Sequence, residues 1–249
     1  VDAIVAIPVD DTATSNKFRQ LSKETKLIFI SNVPDGMSKG DYYSLVSTNE
    51  RENGRNGAIL LGEHFKKEDK VVVGFIVHGS KFLGTYLRDM IAEQTIREEY
   101  PNITIVESEP FYQIENTYEV AKKMILAHPE IKGLYVSWEG PALGAIRAIR
   151  ELNRCDIKIV TFDLDYEIAG ILANEDIILG LSAQKAYDQG VAAGQATAKA
   201  LLNQRGYEYI GISPCIVERQ NLLSAWREVM HENAPDELAK ILKNELSKK

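Results

Sequence analysis

Asp10 and Asp11, Asn32, Asn49, His78 with Gly79 and Ser80, Phe111 and Tyr112, Trp138 and Glu139, Asp163 and Asp165, and Gln184 each follow a short run of apolar residues. In an open parallel sheet, ligands bind beyond the carboxyl ends of the strands, where helix N-termini converge. The set is rich in planar polar groups and aromatics and poor in nucleophiles. Carboxylates and amides form paired hydrogen bonds with vicinal hydroxyls, Arg88 offers a planar fork of donors, and Trp138 or Phe111 can cover the apolar C–H face of a ring. That chemistry holds a polyhydroxylated ligand.

Each residue also has an ordinary structural role open to it. Asp163 could cap a helix starting near Tyr166, and Trp138 and Phe111 could be core aromatics. Arg88 could lie on a helix surface, Asn49 could only turn the chain, and His78 has no second histidine or cysteine nearby. Asp163 and Asp165 could act as an acid–base pair, but alternation along an extended segment does not place them on one ligand. No G-x-S-x-G elbow, G-x-x-x-x-G-K-[ST] loop or G-x-G-x-x-G after a strand occurs. Glycines 190 and 194 read as close helix packing. Cys155 and Cys215 lack C-x-x-C spacing and the four histidines are scattered, so neither a metal nor another cofactor is expected.

The elements that would position these side chains follow from the pattern. The chain has 249 residues, enough for one or two domains. Its net charge of −7 argues against a nucleic-acid partner. The most apolar run, 71–77, falls far short of the roughly 20 residues of a membrane span. Strands are expected at 3–9, 26–31, 44–47, 71–77, 103–107, 133–137, 157–162, 178–182 and 210–217. Helices are expected at 13–24, 50–65, 82–99, 117–127, 141–152, 166–174 and 188–203. Pro141 opens one helix and Pro129 closes another. Runs such as IKIVTF are apolar on both faces, and the helices supply crossovers, so the class is α/β, with doubly wound parallel sheets. The tail after 217 reads as two helical pieces broken at Pro235, a packed appendage more than a site.

Taken together, IPVD at 7–10, LVSTNERENG at 45–54, AHPEIKGLYVSWEGPALGAIRAI at 127–149, VTFDLD at 160–165 and LSAQKAYDQG at 181–190 resemble the type I periplasmic sugar-binding proteins. The ribose-binding group is nearest, and the effector domain of lactose-repressor-type regulators is related. The resemblance implies two α/β lobes joined by three crossing segments, near Ser47 and Thr48, near Gln184, and between Ile212 and Val217. It implies a first lobe of 1–47 with 185–212, a second of 48–184 with 213–218, and a C-terminal helical extension of 219–249. Arg88, Phe111, Asp163 and Gln184 match the family's ligand positions. Trp138 replaces an asparagine of ribose binders and Ser31-Asn32 replaces an Asp-Arg pair, which points to another sugar.

The implied function is a non-enzymatic receptor of an ABC-type transporter, outside the cytoplasm, whose lobes close over a monosaccharide or related polyol and present it to a permease. The alternative is the cytoplasmic effector domain of a repressor. Expected ligand residues are Asn32, Asn49, Arg88, Phe111, Trp138, Glu139, Asp163 and Gln184. The family's first strand and helix would precede residue 1, with that strand between those starting at Ala3 and Lys26. A longer natural protein is therefore expected, with either a vacant slot between those strands or a rearranged first lobe. The two cysteines would lie too far apart for the Cα separation of about 5.5 Å that a disulfide needs.

Overall fold

A computed structural model of the chain describes residues 1–8, 12–80 and 82–246; the nominated Asp10 and Asp11 lie outside the described residues. In chain order the elements are β1 (Ala3–Ala6), α1 (Thr12–Leu21), β2 (Lys26–Ile30), β3 (Ser44–Thr48), α2 (Glu50–Phe65), β4 (Val71–His78), α3 (Leu83–Glu99), β5 (Ile103–Phe111), α4 (Thr117–Ala127), β6 (Ile131–Val136) and α5 (Glu139–Glu151). They continue with β7 (Lys158–Phe162), α6 (Tyr166–Asn174), β8 (Ile178–Ala183), α7 (Ala186–Leu201), β9 (Tyr209–Ile212), β10 (Cys215–Val217), α8 (Leu222–Met230) and α9 (Asp236–Leu246). Two sheets result. The first has the order β1-β2-β3-β9, the second β10-β8-β7-β6-β4-β5. All pairings are parallel except β10 against β8.

Both sheets are covered on both faces, as the continuously apolar strands require. In the second sheet, Val73, Phe75, Tyr135 and Phe162 pack with Ala58 and Leu61 of α2 and Ala92 and Ile96 of α3. On its other face, Ile76, Leu134, Val136 and Ile159 meet α4, α5 and α6. In the first sheet, Ile28 and Val46 lie against Ala193, Ala196 and Ala200 of α7, whose small side chains let the helix approach closely. Leu27, Phe29, Met37 and Leu45 fill the opposite face.

The chain passes from the first sheet to the second between β3 and α2, returns between β8 and α7, and crosses again between β9 and β10. The run expected as one strand at 210–217 is thus two, on different sheets. Ser213-Pro214 separates them, and a proline cannot donate to a ladder. The strand expected to end at 107 instead runs to Phe111 and pairs with β4 as far as His78. It tolerates Pro110 because β5 is an edge strand.

No slot separates the strands starting at Ala3 and Lys26. β1 pairs directly with β2, from Ala3 opposite Lys26 to Ala6 opposite Phe29. The tail is more integrated than an appendage: Leu222, Ala225, Trp226 and Val229 of α8, with Leu238 and Leu242 of α9, belong to the same core as β6, β7 and β8. Among the described residues, no helix is long and apolar enough to cross a membrane. Both cysteines are free thiols.

Candidate functional site

Two strand ends set the site. Directly after β2 and β7, Ser31 and Asp163 both adopt a left-handed backbone with φ of 63°. Such conformations cost free energy in non-glycine residues and cluster at ligand sites. Both residues line a cleft of about 760 Å³ with walls from both sheets' strand ends, α3, α7 and α8. Asp163 is not the cap of α6. Asp165 is, its Oδ1 accepting from the Ile168 N–H at 2.7 Å.

Arg88 lies in this cleft at 2% exposure, so it is no surface arginine. Its Nε donates to Glu50 Oε2 at 3.0 Å and its Nη2 to Glu50 Oε1 at 3.4 Å. Nη1 donates to the Ser137 carbonyl at 2.7 Å and sits 3.7 Å from Asp163 Oδ2. The guanidinium also lies 4.9 Å from the centroid of the Phe162 ring. Burial alone would lower its pKa; the Glu50 and Asp163 carboxylates outweigh that and hold it firmly charged. Gly54 makes the clamp possible, because a Cβ there would stand 2.2 Å from the Arg88 carbonyl oxygen and force α2 and α3 apart.

The neighbouring Asp89 fixes the floor behind the guanidinium. Its carboxylate accepts from Ser137 Oγ, from Tyr135 Oη at 2.8 Å and from the His78 N–H at 3.3 Å. Burial nevertheless pushes its pKa up to about 6. Glu139, the first residue of α5, is pushed up to about 7 by burial and then by the charge of Asp163. Among the described residues, Asp163 Oδ1 is buried without a hydrogen-bond partner. The polar end of the cleft thus holds one clamped cation, a second carboxylate with a spare acceptor and a third that gives up its proton only near neutrality.

Trp138 lines the cleft with its ring centroid 5.0 Å from that of His78 and 4.9 Å from that of Phe111. Phe111, expected at the ligand, is 2% exposed and absent from the cleft wall; it backs the indole from the core. Asn32 is likewise displaced from its expected role. It is buried, its Nδ2 donating to the Pro8 carbonyl at 3.2 Å and its Oδ1 accepting from the Leu83 N–H, so the amide joins the first lobe to the start of α3. Asn49 caps α2, accepting from the Glu52 N–H, and borders a smaller cavity of about 210 Å³ that adjoins the cleft at Ser31, Glu50 and Gly84.

Gln184 does line the cleft, its Oε1 accepting from Thr48 Oγ1 at 2.8 Å. Thr48 Oγ1 in turn accepts from Gln189 Nε2 at 2.8 Å. The structure therefore brings together Arg88, Trp138, Glu139, Asp163 and Gln184, and adds Glu50, Gln189, Val229 and Met230, which sequence reasoning missed. Glu50 was one residue beyond the Asn49 strand end. Nothing in the tail marked Val229 or Met230. A third cavity, of about 770 Å³, borders the start of β8 at Ile178 and the far end of α2 at His64, the ends of the strands where ligands do not gather.

A family model described as periplasmic binding protein domain matches residues 1–205. The D-ribose/D-allose-binding protein of Pseudomonas aeruginosa is 30% identical over 153 residues, 60% of this chain and 47% of that protein. The ABC transporter periplasmic-binding protein YphF of Escherichia coli is 22% identical over 216 residues, 84% of this chain and 65% of its own. The chain thus spans less than two thirds of either relative. Among solved structures, an ABC transporter periplasmic solute-binding protein from Actinobacillus succinogenes with bound D-allose superposes with a TM-score of 0.80 at 20% identity, over 89% of this chain and 80% of that one. With two α/β lobes about a cleft and a family match over most of its length, the chain belongs to the periplasmic binding protein domain family.

Proposed function

We propose that this chain is the solute receptor of an ABC-type sugar transporter, working outside the cytoplasmic membrane and capturing a monosaccharide or related polyol without transforming it. The observation that carries the reading is the cleft itself: Arg88 held by Glu50 beside Asp163, whose Oδ1 has no partner among the described residues, with the Trp138 indole on the same wall. A buried acceptor left unpaired costs about 1–3 kcal/mol, and a sugar hydroxyl can supply the missing donor. The indole can cover the C–H face of the ring. Contacts made from both lobes at once exist only when the lobes approach, so binding shifts the hinge equilibrium toward closure, the form a permease would read. The names of the relatives, a D-ribose/D-allose-binding protein and an ABC transporter component, agree with a transport receptor. So does the packing of α8 and α9 into the second lobe, since a repressor effector domain would end soon after the last strand.

The test is a thermal-shift and calorimetric screen of pentoses, hexoses and polyols. A ligand that binds only the folded protein raises its melting temperature. We expect at least one sugar to do so, with the effect lost in Arg88→Ala and Asp163→Ala. No stabilisation by any of them, or affinity indifferent to both substitutions, would overturn the reading, and so would turnover of the bound sugar.

A further inference from the structure

The wall opposite the carboxylates in kind comes from α7 and α8. It consists of Ala186, Tyr187, Gln189 and Gly190, with Val229 and Met230 from the end of α8. Gln189 is committed to Thr48. The others present a methyl group, a ring, a bare backbone, a branched methyl pair and a thioether. Open space adjoins them: a Cβ built on Gly190 would meet no atom of the described residues within 4 Å.

This wall is held in place from two sides. Leu222, Ala225, Trp226 and Val229 anchor α8 in the core of the second lobe. Toward the first lobe, Lys185 Nζ pairs with Glu228 Oε1 at 2.5 Å, His231 Nε2 lies 3.0 Å from Asp188 Oδ1, and the Tyr187 and His231 rings stack with centroids 4.1 Å apart. The charges beside the wall are thus spent on one another. α8 also lies outside residues 1–205, the stretch matched by the family model.

On the reading that the cleft takes a sugar, we infer that the α7–α8 wall is an apolar subsite that selects a sugar carrying an apolar substituent, a terminal deoxy carbon or an aryl aglycone, over the unsubstituted sugar. The wall is continuous with Arg88 and Asp163 in one cleft of about 760 Å³, so one ligand can place its hydroxyls at the carboxylates and its apolar end against Met230. A hydroxyl pressed on Val229 and the Met230 thioether gives up water without gaining a strong hydrogen-bond partner, which is unfavourable. A carbon in its place gains roughly fourfold in affinity per methylene-sized group removed from water. The Met230 thioether adapts to substituents of different shape.

The test uses the full chain and calorimetry with D-ribose, D-allose and D-arabinose, their terminal deoxy derivatives and their phenyl glycosides in both anomeric forms. We expect at least one derivative to bind about tenfold or more tighter than its parent sugar, as buried apolar contacts of this size permit. Met230→Gln, which keeps length and volume, should bring that ratio toward one, and Tyr187→Ser should lower it independently. Melting temperatures of both variants show that they are folded. If parents bind and no derivative binds tighter, or if the ratio survives both substitutions, the apolar subsite is wrong and the sugar receptor stands. If neither parents nor derivatives bind, both readings fall.

Discussion

Glu50 meets Arg88 with both carboxylate oxygens, at 3.0 Å to Nε and 3.4 Å to Nη2, and the two side chains are only 5% and 3% exposed. A buried ion pair of this kind is weak evidence for net stability, because desolvation offsets much of the attraction. Breaking one side of it is another matter. Glu50→Ala leaves the guanidinium with Asp163 as its remaining carboxylate, and we expect a loss of about 3–5 kcal/mol in urea unfolding, together with a loss of sugar affinity. Arg88→Met, which removes the cation and fills its volume, leaves a buried carboxylate behind; the double variant Glu50→Leu with Arg88→Met should recover much of the stability and none of the affinity. A double variant that binds as the parent does would remove Arg88 from the site.

Trp138 and Trp226 are the two tryptophans of the chain. Trp138 borders the cleft, whereas Trp226 is 5% exposed in the core of the second lobe. Intrinsic fluorescence therefore separates them. Trp226→Phe should retain a sugar-induced change in emission, and Trp138→Phe should lose it. Affinity should fall by about tenfold in Trp138→Ala, the loss expected for a stacking surface worth roughly 1–1.5 kcal/mol. A signal that survives Trp138→Phe would place the ligand elsewhere.

The strands and helices were legible because the apolar runs and their intervening amphipathic stretches leave few alternatives: α2, α4 and α6 begin and end at the expected residues. Arg88, Trp138, Asp163 and Gln184 were legible as strand-end or next-helix residues. Phe111 and Asn32 were not, since the same positional rule cannot tell a side chain that faces the cleft from one that turns into the core, and that choice depends on Trp138 and Leu83 respectively. Glu50 was missed because its role is defined by Arg88, 38 residues away in sequence. The apolar wall of Val229 and Met230 depends on where α8 docks, a tertiary outcome with no local signature.

Two carboxyls raised by burial give a defined pH dependence. In the folded protein Asp89 loses its proton at about 6 and Glu139 at about 7. The unfolded chain releases both in the ordinary carboxylate range, so between that range and neutrality the folded state holds more protons. Their contribution to stability is therefore full at acid pH and declines as pH rises through about 6 and 7. His78, lowered by burial, works in the opposite sense, since protonation then favours the unfolded chain. The difference between variants is consequently the useful readout. Glu139→Gln removes a carboxylate that faces Asp163, Asp165 and Arg88, and should be more stable than the parent at about pH 8 and indistinguishable from it at about pH 4. Equal stability at both values, measured by denaturant unfolding, would show that Glu139 is not so perturbed.

Thr48 ends β3 where the chain first leaves the first sheet, and its hydroxyl serves two partners. Oγ1 donates to Gln184 Oε1 on the second crossing and accepts from Gln189 Nε2 on α7, both at 2.8 Å. A third bond reaches its carbonyl from Tyr209 Oη at 3.3 Å, on the strand that leads to the third crossing. One residue, through its side chain and its carbonyl, thus ties together the segments about which the lobes would turn. Thr48→Val keeps the shape and removes the hydroxyl, leaving the buried Gln189 Nε2 without its acceptor and Gln184 Oε1 without its donor, a cost of about 1–3 kcal/mol. Thr48→Ser retains both bonds and should cost much less. If these bonds also fix the relative setting of the lobes, Thr48→Val should broaden the distribution of interlobe distances, read by spin labels on the exposed Tyr112 and Tyr207 positions, while Thr48→Ser leaves it narrow. A destabilised Thr48→Val with an unchanged distance distribution would assign the hydroxyl a packing role alone, and an undisturbed stability would mean that neither bond contributes.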